Sequence, residues 1–414
     1  MNHYLQNRTL FAPQIYKRPS LNLGIIVVIP AYDEPFLLLS LMNLKKCTLP
    51  LCDVEVIVLI NDSEKDSVAV RERNQAIANQ ARKWAYENSK MRLRFFVLYR
   101  PELPKKHAGV GLARKIGMDE ACWRFEKIRN PNGVIVCFDA DSKCEPNYLQ
   151  AIYEHFQAHP KSAACSIHFE HPLDGANHPK SVYNAIVKYE LHLRYYINAQ
   201  RYAGFPLAYQ TIGSSMAVRA RAYQQQGGMN KRQAGEDFYF LHKFIALGNF
   251  TELKTTTVIP SPRPSHRVPF GTGRAIGQIV KEGSNTYLTY SPKSFQLLKT
   301  FFEAVPSFYK MELELSNWPS SLADFLLQQN APEKLVEIRA NVASARSFKK
   351  RFFHWFNAFM LMKFLHFARE VYPDVEVEEA AAWLLREVGL LDEEGMESKG
   401  LLGQYREWDR GGGQ

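Results

Sequence analysis

The chain has 414 residues, of which 46% are hydrophobic and 23% are charged, a composition that is typical of a folded globular protein and excludes a disordered or fibrous chain. Its formal net charge of +10, from 52 Lys and Arg against 42 Asp and Glu, favours anionic partners such as phosphorylated small molecules, anionic lipid or nucleic acid. A basic surface without a dedicated partner would carry the same charge. The length indicates two domains, or one large domain with an appendage.

The cysteines and the N-terminus indicate a reducing compartment. Six cysteines occur without any CxxC pair, so we expect reduced, structural thiols and no zinc site. The N-terminal residues lack the apolar core of a signal peptide, and no stretch is long and charge-free enough to span a bilayer. The protein is therefore expected to be cytoplasmic, with peripheral attachment to the inner membrane surface as an alternative.

Buried strands and helices alternate in the first part of the chain. The predicted strands and helices follow one another at residues 23–34, 36–46, 54–62, 66–88, 93–100, 109–128, 134–138 and 147–158. The first of these is predicted to be a strand that is interrupted by Pro30. Alternation of this kind predicts parallel βαβ units and an open, doubly wound sheet.

Acidic residues follow three of the predicted strands. They are Asp33 and Glu34, Asp62, and Asp139 with Asp141. Ligands bind at the carboxyl ends of the strands in open α/β sheets, so these acids are expected to converge on one site. Asp139 and Asp141 are two positions apart and face the same side of extended backbone. Two such carboxylates repel each other, which predicts a cation between them.

The pattern loosens after about residue 160. Residues 179–202 favour a long, aromatic-rich helix, whose tyrosines are expected to pack in the core rather than to line an acceptor surface. Residues 212–229 pair a small-residue turn with a short helix, and residues 251–259 favour a strand. A loop rich in Pro, Gly and Arg follows at 260–274, and we expect it to cross a site rather than to link domains.

The C-terminal third of the sequence has few strand patterns. This change predicts a first domain at residues 1–285 and a helical C-terminal region at 286–414. Residues 346–370 are strongly apolar and have a basic leading edge. They are expected to form a helix packed on the first domain, or a dimer seam, in preference to lying on an anionic membrane.

Four motifs occur in an order that resembles a known enzyme family. They are IPAYDE at 29–34, IND at 60–62, DAD at 139–141, and a small-residue turn followed by GED at 235–237. The chain is similar in these motifs and their spacing to the nucleotide-sugar-dependent glycosyltransferases of family two. The resemblance implies a GT-A type, doubly wound, mostly parallel α/β sheet with flanking helices, and makes the first domain the catalytic one.

The resemblance also implies roles for residues of the nucleotide-sugar donor site. The loop after the first strand would line the nucleoside site, through Pro30, Ala31, Tyr32 and Glu34. The acid after the second strand, Asp62, would contact the base. Many relatives carry two aspartates at this second position, whereas Asn61 precedes Asp62 here, so the identity of the nucleobase stays open.

Metal binding and catalysis are implied by the later motifs. Asp139 and Asp141 would hold Mg²⁺ or Mn²⁺ against the donor diphosphate, because hard divalent cations prefer oxygen ligands. Asp237, the second acid of the Glu236–Asp237 pair, would be the catalytic base of an inverting transferase. Both acids also fit a helix N-terminus, where the helix dipole favours negative charge.

Four further residues are candidate ligand contacts. Arg114 and Lys115 stand where relatives often carry Arg-Asn, and they would add a cation beside the donor or lie on a solvated helix face. Arg267 would contact the diphosphate, although an ordinary turn also fits its loop. His266 would be a further metal ligand, or else exposed to solvent.

The expected function is the transfer of a sugar from a nucleotide-diphosphate sugar to a hydroxyl of a glycan, a lipid-linked molecule or a small molecule. Inversion, metal dependence and a single addition are expected, because the Gln-x-x-Arg-Trp motif of processive relatives is missing from the sequence. The alternatives are a retaining transferase, a nucleotidyltransferase on the same fold, or a non-catalytic nucleotide-sugar-binding or scaffold protein. A nucleic-acid partner is not expected, since no such binding module is recognisable.

Overall fold

The computed structural model describes residues 2–265, 271–283, 286–392 and 395–411. The chain divides into two compact units. The first comprises the described residues up to Tyr183 and those from Thr211 to Gln278, and the second comprises Asn184–Gln210 and the described residues from Ile279 onward. The division into a catalytic domain at residues 1–285 and a C-terminal region at 286–414 stays a prediction.

One sheet organises the first unit. Its strands within the described residues are Leu23–Ala31 (β1), Asp53–Ser63 (β2), Leu93–Leu103 (β3), Val134–Cys137 (β4), Lys143–Cys144 (β5), Ala164–Phe169 (β6), Met216–Arg219 (β7) and Phe250–Ile259 (β8). Their order across the sheet is β3-β2-β1-β4-β7-β6-β8-β5. Strands β1 to β4 pair in parallel, as do β6 and β8, whereas β7 is antiparallel to both neighbours and β5 is antiparallel to β8.

Helices alternate with these strands along the chain. As far as residue 282 they are His3–Asn7 (α1), Leu37–Lys45 (α2), Val68–Asn88 (α3), Val110–Lys127 (α4), Tyr148–Ala158 (α5), Lys180–Tyr202 (α6), Ala220–Gln225 (α7), Glu236–Ile245 (α8) and Thr272–Glu282 (α9). Helix α6 belongs mainly to the second unit. The mostly parallel sheet with flanking helices confirms the predicted GT-A type α/β architecture.

The central strands form because their residues are apolar on both faces. Every side chain from Ile25 to Ile29 in β1 is 0% exposed, as expected of a parallel strand covered by helices on both faces. The predicted interruption at Pro30 is wrong, since β1 continues to Ala31. Pro30 has no backbone N–H, and its nitrogen faces the β4 side of β1. Proline is tolerated there because β4 pairs with β1 only as far as Val28, so no ladder hydrogen bond is lost.

Three short strands of the sheet, β5, β6 and β7, were not predicted. β6 and β7 pair with each other over Ala164–Ser166, and β7 also lies beside β4. Short apolar runs of four to six residues carry no periodicity that separates strand from helix, so only pairing with neighbours defines them. As a result, His168 lies within a buried strand.

The second unit is mainly helical, which confirms the predicted C-terminal helical region. Its later helices are Pro292–Ala304 (α10), Ser320–Gln328 (α11), Ala331–Ala340 (α12), Ala345–Trp355 (α13), Ala358–Ala368 (α14), Val377–Glu387 (α15) and Ser398–Arg410 (α16). Leu288–Thr289 (β9) and Val375–Glu376 (β10) form a small antiparallel pair, and the segments Val305–Tyr309 and Leu315–Asn317 are 3-10 helices.

The apolar segment 346–370 forms two helices of this unit rather than one. Asn357 separates them, and its side chain caps α14 by accepting hydrogen bonds from the backbone N–H groups of Phe359 and Met360. Phe352 and Phe356 are 0% exposed, and their rings stack with centroids 5.7 Å apart. The apolar residues of this segment are therefore largely core. Among the described residues, no helix combines the length and apolar character needed to cross a bilayer.

Candidate functional site

Two arginines join the acids at the carboxyl ends of β1 and β4. Arg114 comes from α4, and Arg263 comes from the segment after β8. Each guanidinium contacts one acid of the Asp139–Asp141 pair and one acid from a different element. The sheet therefore brings the DAD motif, the loop after β1 and the start of α8 to one place, and the first two of these were expected there from the strand ends.

Arg114 links Asp139 to Glu236. Its guanidinium donates to Asp139 Oδ1 at 2.6 Å and to Glu236 Oε1, and its side chain is only 3% exposed. Gly213, in the turn before β7, makes this position possible, because a Cβ there would lie 2.4 Å from Arg114 Nη1. The small-residue turn is thus needed because a larger residue at Gly213 would clash with the buried Arg114 side chain. The sequence alone did not indicate this role.

Arg263 links Asp141 to Glu34. A single nitrogen, Nη2, donates to Glu34 Oε2 at 2.5 Å and to Asp141 Oδ2 at 3.1 Å. The guanidinium carbon also lies 5.4 Å from the ring centroid of Phe36. Asp139 and Asp141 therefore each meet a different arginine, and the metal ion expected between them stays a prediction.

Glu236 and Asp237 begin helix α8. Gly235 precedes them with a φ of 67°, a left-handed conformation that glycine adopts without strain. Glu236 is buried, whereas Asp237 is partly exposed and accepts a hydrogen bond from the Phe238 backbone N–H at 2.7 Å. The two neighbouring acids therefore have different surroundings, and Asp237 is the more accessible to an acceptor.

Burial raises the proton affinity of both acids. It raises the pKa of Glu236 to about 7, although the Arg114 cation opposes this effect. Burial likewise raises the pKa of Asp237, again against Arg114, and the charge of Asp139 adds to the increase. A carboxylate with a raised pKa binds a proton more readily, as a general base requires.

The raised pKa of Glu236 predicts a pH-dependent stability. The folded chain holds this proton up to about pH 7, whereas the unfolded chain releases it near the ordinary value of 4.5. The free energy of unfolding is therefore expected to fall by ~1 kcal/mol or more as the pH rises from 4.5 to 7. Urea unfolding of the Glu236→Gln variant should lack this decrease, and an identical pH dependence in both proteins would refute the assignment.

Asp62 is fully buried and holds the end of β3. Its Oδ2 accepts a hydrogen bond from the Tyr99 hydroxyl at 2.5 Å, and its Oδ1 accepts one from the Glu102 backbone N–H at 2.7 Å. Burial and the Asp62 charge raise the pKa of Tyr99. These contacts give Asp62 a structural role at the rim of the sheet, and its contact with a base stays a prediction.

Helix α3 holds the loop after β1. Asp33 has a φ of 47°, and its carboxylate receives two hydrogen bonds from Arg73, at 2.8 and 2.7 Å. The Asp33 backbone N–H donates to the Asn74 side chain at 2.8 Å. A left-handed aspartate held this firmly is typical of a functional loop. Arg73 and Asn74 were not predicted as site residues, because both lie in an ordinary polar helix.

The other predicted residues of this loop lie beside Asp33. Pro30 and Ala31 are buried at the end of β1, and the Tyr32 hydroxyl donates to Asp66 at 3.0 Å. Burial, with the neighbouring Asp66, raises the pKa of Tyr32 to about 12. Together these contacts give the predicted nucleoside loop a defined conformation.

Lys115 is not brought to the acids of the site. Its ammonium lies 2.9 Å from the Tyr4 hydroxyl and 2.9 Å from Asp119 Oδ2, in a buried cluster. Successive residues of an α-helix point about 100° apart, so Arg114 and Lys115 face different surroundings. The predicted contacts of His266 and Arg267 lie outside the described residues.

The acids of the site have the chemistry that a divalent cation requires. Within the described ranges, no group of three or more His, Cys, Asp or Glu side chains converges on one point. Glu34 and Asp141 nevertheless approach a single cationic nitrogen, so two carboxylate oxygens already flank a place for positive charge. Mg²⁺ and Mn²⁺ prefer such oxygens, so the residues fit the predicted metal.

Residues 26–225 match the sequence model of glycosyl transferase family 2. Similar solved structures include S. aureus TarS 1–349 with UDP-GlcNAc, at 14% identity and a TM-score of 0.39, covering 94% of this chain and 92% of that chain. The same protein with UDP has 14% identity and a TM-score of 0.38, covering 94% of this chain and 88% of that chain. No curated protein sequence matches this chain. Residues 26–225 therefore form a glycosyl transferase family 2 domain.

Proposed function

We propose that the protein transfers a single sugar, with inversion, from a nucleoside-diphosphate sugar to a hydroxyl group, and that it requires Mg²⁺ or Mn²⁺. The observation that carries this proposal is the position of Arg114, which contacts both Asp139 and Glu236. One guanidinium group thereby joins Asp139, which would serve the donor, to the start of α8, where Asp237 would serve the acceptor. Donor diphosphate and acceptor hydroxyl can then meet at the same rim of the sheet.

Each acid has a distinct task in this reaction. Asp139 and Asp141 would hold the metal ion, which neutralises the charge that develops on the departing nucleoside diphosphate. Arg114 keeps Asp139 in place through a charged hydrogen bond at 2.6 Å. Glu236 accepts a hydrogen bond from the same guanidinium, and this contact fixes the start of α8.

Asp237 would act as the general base. Its carboxylate would take the proton of the acceptor hydroxyl as that oxygen attacks the anomeric carbon. The bond from the anomeric carbon to the diphosphate breaks as the new bond forms, and its electron pair leaves with the diphosphate. One displacement inverts the anomeric carbon. The partial exposure of Asp237 and its raised pKa support this role over that of the buried Glu236.

Thermal unfolding with a panel of nucleoside diphosphates and nucleotide sugars tests the donor site. We expect one nucleotide to raise the Tm in the presence of Mn²⁺ or Mg²⁺, and Asp141→Ala to abolish this increase. The exposed Asp324→Ala variant, on helix α11, should retain it. The donor proposal fails if no nucleotide raises the Tm, or if Asp141→Ala responds like the unchanged protein. Release of pyrophosphate instead of nucleoside diphosphate would identify a nucleotidyltransferase.

A further inference from the structure

The two arginines of the site differ in how firmly they are held. Arg114 is 3% exposed and fills the space that Gly213 leaves open. The Arg263 side chain is 21% exposed, and its neighbour Asp141 is 24% exposed. A buried guanidinium in a fitted slot stays in place, whereas a partly exposed one on a flexible stem can exchange one partner for another.

Arg263 neutralises the carboxylates that a divalent metal ion would need. An arginine remains charged at every physiological pH, so its contacts with Glu34 and Asp141 persist without any ligand. Glu34 is only 2% exposed and would be costly to leave without a cation. A metal ion that approached Asp141 would meet a positive charge already 3.1 Å from that carboxylate.

We propose that Arg263 is a built-in counter-cation, which competes with the divalent metal for Asp141 and moves to the donor diphosphate when metal and donor bind together. This inference rests on the metal site of the proposed function. A guanidinium matches phosphate oxygens as well as it matches carboxylates, because its planar fork donates two parallel hydrogen bonds. The diphosphate therefore supplies Arg263 with a new partner at the same time as the metal ion takes over Glu34 and Asp141, so that the buried Glu34 keeps a cation beside it.

This exchange makes the binding of metal and diphosphate cooperative. Metal alone must displace Arg263 without offering it a replacement, so metal alone binds weakly. Diphosphate strengthens metal binding, and by linkage metal strengthens diphosphate binding by the same factor. A ligand without phosphate oxygens would give Arg263 no alternative partner and would not produce this coupling. Arg263 thus selects diphosphate-bearing donors.

Mn²⁺ binding to the full chain, measured from the electron paramagnetic resonance signal of free Mn²⁺, tests the competition without any nucleotide. Arg263→Met should bind Mn²⁺ at least about tenfold more tightly than the unchanged protein, because a positive charge has left the site. Lys143→Met removes an equal charge two residues from Asp141, at an exposed side chain, and should change the affinity by less than about twofold. Arg263→Lys keeps the charge and should bind Mn²⁺ weakly.

Repeating the titration with inorganic pyrophosphate tests the coupling, with the Mn²⁺–pyrophosphate complex in solution taken into account. Pyrophosphate should strengthen Mn²⁺ binding to the unchanged protein, and this effect should be about tenfold smaller in Arg263→Met. Equal Mn²⁺ affinities of Arg263→Met and the unchanged protein would overturn the inference. So would an equal gain in Lys143→Met, or an undiminished effect of pyrophosphate in Arg263→Met.

A folding control and a sugar-transfer assay complete the Mn²⁺ titrations. Circular dichroism identifies variants that fail to fold, and Arg263→Gln, which keeps a planar polar group, replaces Arg263→Met in that case. Tighter Mn²⁺ binding in the Arg263 variant, together with no sugar transfer by the unchanged protein, would count against the proposed function and support the inference. Sugar transfer by the unchanged protein, together with an Mn²⁺ affinity that does not change when Arg263 is replaced, would support the proposed function and overturn the inference.

Discussion

Replacing Asp237 with Asn is expected to lower the turnover number by about 10²–10⁴-fold, the usual contribution of a general base. The amide keeps the size of the side chain and can accept the hydrogen bond from the Phe238 N–H, so the start of α8 should remain folded. Nucleoside diphosphate binding should change by less than about twofold, because this acid would serve the acceptor. Steady-state transfer assays and calorimetry of donor binding would measure the two effects.

The pH profile separates a base from a structural residue. The rate should rise with pH through the raised pKa of Asp237 in the unchanged protein, since only the carboxylate accepts a proton. This limb should be missing from the residual activity of Asp237→Asn. Asp324→Asn, a matched change at an exposed aspartate, should have no effect. Turnover of Asp237→Asn within about threefold of the unchanged protein would refute the base assignment.

Replacing Arg114 with Met is expected to destabilise the fold by about 3–5 kcal/mol, the usual cost of removing one partner of a buried ion pair. The change leaves Glu236 buried without its cation and removes the partner of Asp139. Urea unfolding at pH 7 would measure the loss. It should be smaller at pH 5, because a protonated Glu236 needs no cation.

Two variants control for general effects of the Arg114 change. Lys127→Met removes an exposed cation from the last turn of the same helix, and it should cost less than about 1 kcal/mol. Arg114→Lys keeps the charge but loses one of the two directed contacts, so its stability should lie between those of Arg114→Met and the unchanged protein. A loss below about 1 kcal/mol in Arg114→Met would show that other groups neutralise Glu236.

Local sequence patterns were sufficient to predict the main part of the sheet. β1, β2 and β4 each contain an uninterrupted apolar run, which is typical of a buried parallel strand. β6 and β7 were missed because their short runs become strands only through pairing with each other and with their neighbours. The acids at the strand ends could be predicted because the direction of a parallel strand fixes which end faces the site.

The sequence by itself determined the α/β fold, the family and the acids at the rim, since each depends on patterns within a few residues or on motif order. Only the tertiary structure decided which cation meets which acid. Arg114 and Glu236 are 122 positions apart, and Arg263 and Glu34 are 229 apart. Lys115 follows Arg114 directly, yet it pairs with Asp119. Ion pairing depends on distance and burial in space, and the folded chain sets both through contacts that no local pattern encodes.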